Sequence, residues 1–155
     1  VCIQLPMFNE THVADRCIRA AAAVRWPQDR FELQILDDST DADAREVVDT
    51  AASAARDAGV RCSVVRRTIR AGYKAGALEE GRHRPDAEFI AILDADFVAT
   101  PDFLEHTVRH FFTADGEAID DLGLVQAQWG HLNHDSSLLT LTQSLWVDDH
   151  HTLQM

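Results

Sequence analysis

Long hydrophobic runs are missing from this chain. No apolar stretch approaches the roughly 18–20 residues that cross a bilayer, so these residues carry no candidate membrane span. The N-terminus also lacks the basic-then-apolar pattern of a signal peptide. Instead Val1-Cys2-Ile3-Gln4-Leu5-Pro6 reads at once as a core strand. Positive charge is scarce: Lys and Arg number 14 against 26 Asp and Glu, a formal net charge of −12. Nucleic acid is excluded as a partner, because its phosphates need a basic face. Cysteine is sparse. Cys2, Cys17 and Cys62 are odd in number and without paired spacing, so they form no disulfide framework. They read as reduced, mostly buried thiols of a cytosolic protein. Phosphate-cradling glycine loops are absent too: neither G-x-x-x-x-G-K-[ST] nor G-x-G-x-x-G occurs.

What remains is an ordinary globular composition, 46% hydrophobic over 155 residues, enough for one sizeable core. The chain does not begin with Met, and the expectation is a single partial domain, 1–155, of a longer protein. Most of its acids, as in "DDSTDADAREVVD" and "ADGEAIDD", read as solvated surface.

Strand and helix signals alternate. "VCIQLP", "FELQILDD", "RCSVVRR", "FIAILDAD" and "LGLVQAQW" predict five strands. Between and after them, "HVADRCIRAAAAVRW", "DADAREVVDTAASAARDAG", "KAGALEEGRHR", "PDFLEHTVRHFF" and "SSLLTLTQSLWVDDHHTLQ" predict helices. Thr11 is a plausible cap for the first, Ser39 or Thr40 for the second, and Thr100 with Pro101 for the fourth. Gly59 closes the second. Continuous apolar strands alternating with helices predict an α/β fold: a mostly parallel sheet with helices on both faces.

In such sheets ligands bind beyond the carboxyl ends of the strands. The predicted strand ends and following loops hold Pro6-Met7-Phe8-Asn9-Glu10, Asp37-Asp38-Ser39-Thr40, Arg70-Ala71-Gly72-Tyr73-Lys74, and Asp94 with Asp96. Polar residues from distant segments thus meet at one edge. Asp94 and Asp96 are one residue apart, and two carboxylates this close repel unless a cation lies between them. Their oxygens suit Mg²⁺ or Mn²⁺, ions that also hold substrate phosphates. A lone D-x-D is more simply a pair of turn acids; the apolar lead "FIAIL" and the neighbouring strand ends favour the metal. Lys74, at a helix start flanked by Gly72 and Gly76, suits a diphosphate. One of Asp37 and Asp38 is left to accept hydrogen bonds from a base or ribose.

The histidines are weaker signals. His106 and His110 are four apart on a helix, yet Thr107 stands where an H-E-x-x-H zinc site needs Glu. His131 and His134 read as loop residues, and His150 and His151 as a surface helix end after Asp148 and Asp149.

"PMFNE", "LDDSTD", "GYKAGAL", "DADF" and "VQAQW" together resemble the family-2 glycosyltransferases, nearest to the cellulose-synthase-like glucan and mannan synthases. The resemblance covers essentially the whole chain. It implies a GT-A, Rossmann-like fold, with the chain stopping before the acceptor half. It implies inverting transfer of a sugar from a nucleoside-diphosphate donor, of UDP-glucose or GDP-mannose type, to the hydroxyl of a saccharide or lipid acceptor. Under it, Pro6, Asn9, Glu10, Asp37, Asp38, Lys74 and Asp94 bind the nucleotide sugar. Asp94 and Asp96 hold the divalent cation, and Gln126 and Trp129 lie near donor sugar and acceptor. The general base would be an Asp of a T-E-D-like motif, which is absent here, as is the Q-x-x-R-W motif. The isolated chain is therefore expected to be soluble and to bind donor and metal without turnover. Its parent is expected on the cytoplasmic side of the cell membrane. The rivals are a non-catalytic domain derived from the transferase and a phospho-receiver-like signalling module. The second rival fits poorly, because no lysine follows the fifth predicted strand.

Overall fold

The computed structural model describes residues 1–83, 86–128 and 130–153, with side chains described except for residue 134 and residues 146–153. The chain divides into two units, Val1–Arg109 and His110–Met155.

The first unit is built on four parallel strands: β1 (Cys2–Met7), β2 (Glu32–Asp37), β3 (Cys62–Val65) and β4 (Ile90–Ile92). Their order is β3-β2-β1-β4. The order reverses at β1, between β2 on one side and β4 on the other. This is the switch point where open α/β sheets take their ligands. The register aligns Met7 with Asp37, so β1 and β2 end level and deliver their loops to one edge.

Helices cover both faces, as expected. Helices α1 (Ala14–Ala22) and α2 (Ala42–Asp57) bury Ala14, Cys17, Ile18 and Ala21, and Ala44, Val48, Ala51, Ala52 and Ala55. Both sets follow the helical i, i+3, i+4, i+7 spacing that makes one apolar stripe. With α4 (Phe103–Val108) they pack on Ile3, Leu5, Leu33 and Ile35. Helix α3 (Tyr73–Arg82) lies on the opposite face, over Leu36 and Val65. There Gln4 Nε2 donates to Gln34 Oε1 at 2.8 Å, and both side chains are buried. A Cβ on Gly81 would come within 2.8 Å of both side chains, so glycine lets α3 sit this close.

The second unit holds a short hairpin-like turn, in which Phe112 bridges Ala118, and helix α5 (Leu138–Leu153). Ser137 and Thr140 cap α5 reciprocally: each hydroxyl accepts from the other's backbone N–H, at 3.0 and 3.1 Å. No helix among the described residues is long and apolar enough to cross a membrane.

Several local expectations are corrected. The fifth strand does not form: among the described residues of "LGLVQAQW" there is no strand pairing, and Leu124 is exposed. Alternating apolar residues make a strand only where a neighbour supplies the ladder. Thr11 does not cap α1, whose N-cap is Val13 without a side-chain bond. Asp41, not Ser39 or Thr40, caps α2, accepting from Asp43 N at 2.9 Å. The fourth helix starts at Phe103 after Asp102, not at Pro101; Thr100 Oγ1 donates to the Asp102 carboxylate at 2.6 Å instead. It gives way to a 3₁₀ turn, Arg109–Phe111. The fourth strand is also shorter than "FIAILDAD", because the chain turns at Asp94, where Phe97 N donates to Asp94 O at 3.0 Å.

Candidate donor and cation site

A cavity of about 400 Å³ opens at the carboxyl ends of the strands. It is lined by Pro6, Phe8 and Glu10 after β1, by Asp38 after β2, by Arg70 and Lys74 around the start of α3, and by Asp94 and Asp96 after β4. Four sequence segments, separated by as many as 90 residues, therefore meet at the switch point, as the strand-end argument required.

The loop after β1 is held by Asn9, at φ +57°. Asn9 Oδ1 accepts from Thr40 N at 2.9 Å and Asp41 N at 3.1 Å, while Asn9 N donates to Ser39 Oγ at 2.9 Å. Asparagine tolerates this left-handed backbone better than most residues. Its amide ties the first strand-end loop to the second. Asn9 thus lies outside the cavity lining and shapes it from behind.

Asp37 and Asp38 separate. The Asp37 side chain is fully buried, bonded by Arg66 Nε at 2.7 Å and by Ser39 N at 3.0 Å. It does not line the cavity, so the expected nucleotide contact through Asp37 gives way to a structural ion pair. Asp38 does line it. Arg67 grips Asp38 with two nitrogens, Nε to Oδ1 at 3.0 Å and Nη2 to Oδ2. The same guanidinium donates to Ala71 O at 2.8 Å and Tyr73 O at 2.9 Å. Its bond to Asp38 holds its pKa above the usual arginine range. Arg67 is a residue the sequence reading missed. It lay inside a predicted strand, and only the four-bond geometry shows that it fastens β2 to the Arg70–Lys74 loop.

Gly76 allows that loop to pass: a Cβ there would stand 2.0 Å from Ala71 O and 2.7 Å from Arg67 Nη1. Gly72 (φ +69°) and Tyr73 (φ +50°) are both left-handed and bend the chain into α3. This brings Lys74 onto Asp94, where Nζ pairs with Oδ1.

The D-x-D segment is a turn, not a strand, yet both carboxylates still face the cavity. Cys17, on α1, lies beneath it and donates its thiol to Asp94 O at 3.5 Å. Burial pushes the Cys17 thiol up to about 12, and the Asp96 charge adds to the rise. The thiol therefore stays a neutral donor. The donor set fits a hard divalent cation: two partly exposed carboxylates can supply two oxygens, leaving positions for water and phosphate. No cluster of three or more His, Cys, Asp or Glu forms a closed metal cage among the described residues.

The other candidates are not in this lining. Gln126 lies in the second unit, exposed and outside any helix or strand. Trp129 lies outside the described residues. His106 pairs with Asp102 at 3.3 Å along its own helix.

The family model for Glycosyl transferase family 2 matches residues 2–142. The chain belongs to that family. Glucomannan 4-beta-mannosyltransferase 1 of Oryza sativa subsp. japonica is 41% identical over 99% of this chain, which spans 29% of that relative. Glucomannan 4-beta-mannosyltransferase 2 of Arabidopsis thaliana is 38% identical over 99% of the chain, which spans 28% of it. Among solved structures, the mannosyltransferase PcManGT from Pyrobaculum calidifontis, in complex with GDP-Man and Mn²⁺, superposes with a TM-score of 0.62. It is 23% identical, over 70% of this chain and 31% of its own. S. aureus TarS 1–349 in complex with UDP-GlcNAc gives 0.54 at 16% identity, over 84% and 38%. These likenesses establish the GT-A type of fold for the chain.

Proposed function

We propose that this chain is the donor-binding part of an inverting glycosyltransferase that moves a mannosyl residue from GDP-mannose to a hydroxyl of a growing polysaccharide. The observation that carries the reading is the meeting of Asp38, Arg70, Lys74, Asp94 and Asp96 around one cavity at the switch point. The mannosyl choice is supported by the plant glucomannan mannosyltransferases and by the GDP-Man held in PcManGT.

Each residue has a task that its position allows. Glu10 and Asp38 accept hydrogen bonds from the nucleoside. Lys74 exchanges its contact with Asp94 for one with a phosphate oxygen. Asp94 and Asp96 hold Mg²⁺ or Mn²⁺. A divalent cation, when bound, neutralises the diphosphate as it leaves. Pro6 and Phe8 supply apolar wall against the nucleoside. Transfer also needs a base on the acceptor hydroxyl. Under this reading that base comes from outside these residues, and the isolated chain binds donor without turning it over. The whole protein works at the cytoplasmic face of a membrane, on a saccharide acceptor.

The test is competition for the cavity. With Mn²⁺ present, GDP-mannose should displace a fluorescent guanosine diphosphate at concentrations where UDP-glucose does not. Preference for the uridine donor would reject the mannosyl reading.

A further inference from the structure

Arg70 lines the cavity and has an unmet donor. Its Nε is covered from solvent and has no acceptor within hydrogen-bond distance. The nearest carboxylate oxygen, Asp38 Oδ2, is 3.7 Å away and is already bonded by Arg67 Nη2. The guanidinium carbon lies 3.4 Å over the centroid of the Phe8 ring and 5.1 Å from that of Tyr73. A guanidinium held on an aromatic face presents its donors in a fixed plane. Arg70 therefore lines the cavity beside a carboxylate with its guanidinium plane set by these rings.

Charge decides what acceptor belongs there. A phosphate would satisfy Arg70 but would stand against the Asp38 carboxylate, and like charges so close are costly. The phosphate end is better placed on the far side of β1, where Lys74 and the D-x-D turn lie. A neutral ring edge with acceptors beside an N–H suits both groups at once. Guanine has such an edge. Its O6 and N7 are coplanar acceptors that match an arginine fork, and its N1–H lies next to O6. Uracil also sets a carbonyl beside its ring N–H, on either side of N3, but next to O4 it has C5–H and no second coplanar acceptor, so it offers no edge for a fork.

We propose that Arg70 reads the O6–N7 edge of the donor's guanine, while Asp38 accepts from the adjacent N1–H. This rests on the guanosine reading above and adds the residue that selects the base.

The experiment is calorimetric titration of the chain, with Mn²⁺, by GDP, 7-deaza-GDP and UDP, repeated on Arg70→Met and Arg70→Lys. The wild type should bind 7-deaza-GDP about tenfold more weakly than GDP, the loss of one charged hydrogen bond. In Arg70→Met the two guanosine nucleotides should bind alike, and both variants should bind GDP more weakly than the wild type does. Equal binding of the two by the wild type would overturn the inference and leave the guanosine reading standing. So would an unchanged ratio in Arg70→Met. Tighter binding of UDP, or binding of none of the three, would overturn both. The wild-type comparison needs no variant to fold, and Arg70→Lys retains the charge while removing the fork.

Discussion

Asp37 and Asp38 are neighbours in sequence, each held by its own arginine, but only Asp38 lines the cavity: Asp37 is sealed against Arg66, and Asp38 lies under Arg67 at the cavity wall. Alternation at the end of β2 sends one carboxylate into the protein and the other to the ligand edge. Their substitutions should separate in nucleotide affinity. Asp37→Asn should lower unfolding free energy by about 2 kcal/mol or more, because it removes one partner of a buried ion pair. Asp38→Asn should also lower stability, because Arg67 loses its two-point partner, and should cost nucleotide affinity besides. Urea unfolding and nucleotide titration of both variants check this. An equal loss of nucleotide affinity in the two would contradict the separation.

Gly76 provides a test of sign. In an exposed helix Gly→Ala stabilises by about 1 kcal/mol. Here the new methyl would meet Ala71 O at 2.0 Å, a backbone atom with little freedom to move. Gly76→Ala should therefore destabilise the chain, by about 1–3 kcal/mol. A rise in the melting temperature would show that the loop passes α3 less closely than described.

Arg67→Lys tests the fastening of the cavity loop. Lysine keeps the charge but loses the fork that serves Asp38, Ala71 O and Tyr73 O together. Amides of residues 70–76 should exchange faster, while those of β1 and β2 keep their protection. Uniformly faster exchange would make Arg67 a global stability residue instead.

The alkaline limb of stability should report Cys17. Its folded pKa of about 12 lies above the ordinary thiol value of 9.0. Below pH 9 the thiol is protonated in both states and its contribution is complete. Between about pH 9 and 12 the unfolded chain releases the proton first, so stability falls as pH rises. Cys2 behaves alike, also pushed up to about 12 by burial. The urea midpoint should drop between pH 8 and pH 10.5, and Cys17→Ala should shrink that drop. An identical drop in the variant would show that other groups cause it.

Much of this was legible in the sequence, for physical reasons. Continuous apolar strands can only be doubly covered ones, so β1, β2, α1 and α2 followed from pattern, and with them the edge where Asp38, Lys74 and Asp94 would meet. Caps were not legible. Several hydroxyls and acids compete within two residues at each helix start, and tertiary bonds choose among them; Asn9, not α2, engages Thr40. The fifth strand failed because alternation shows a face to bury and not a partner to pair with. Arg67 was hidden for another reason, and for the same reason Arg70, though placed at the ligand edge, had no role assigned. An arginine's role depends on which carbonyls and rings the fold brings within its reach, and Ala71 O, Tyr73 O and Phe8 converge only in three dimensions.

The central claim is that the acids at the end of β4 hold a cation which in turn holds the donor's diphosphate. Titration of GDP into the chain with Mn²⁺, then with the ion chelated, then into Asp96→Ala with Mn²⁺, tests it most directly. Asp96 is exposed, so its loss should leave the fold intact. The account predicts binding in the first case and a loss of at least tenfold in the other two. Binding of equal strength in all three would contradict it.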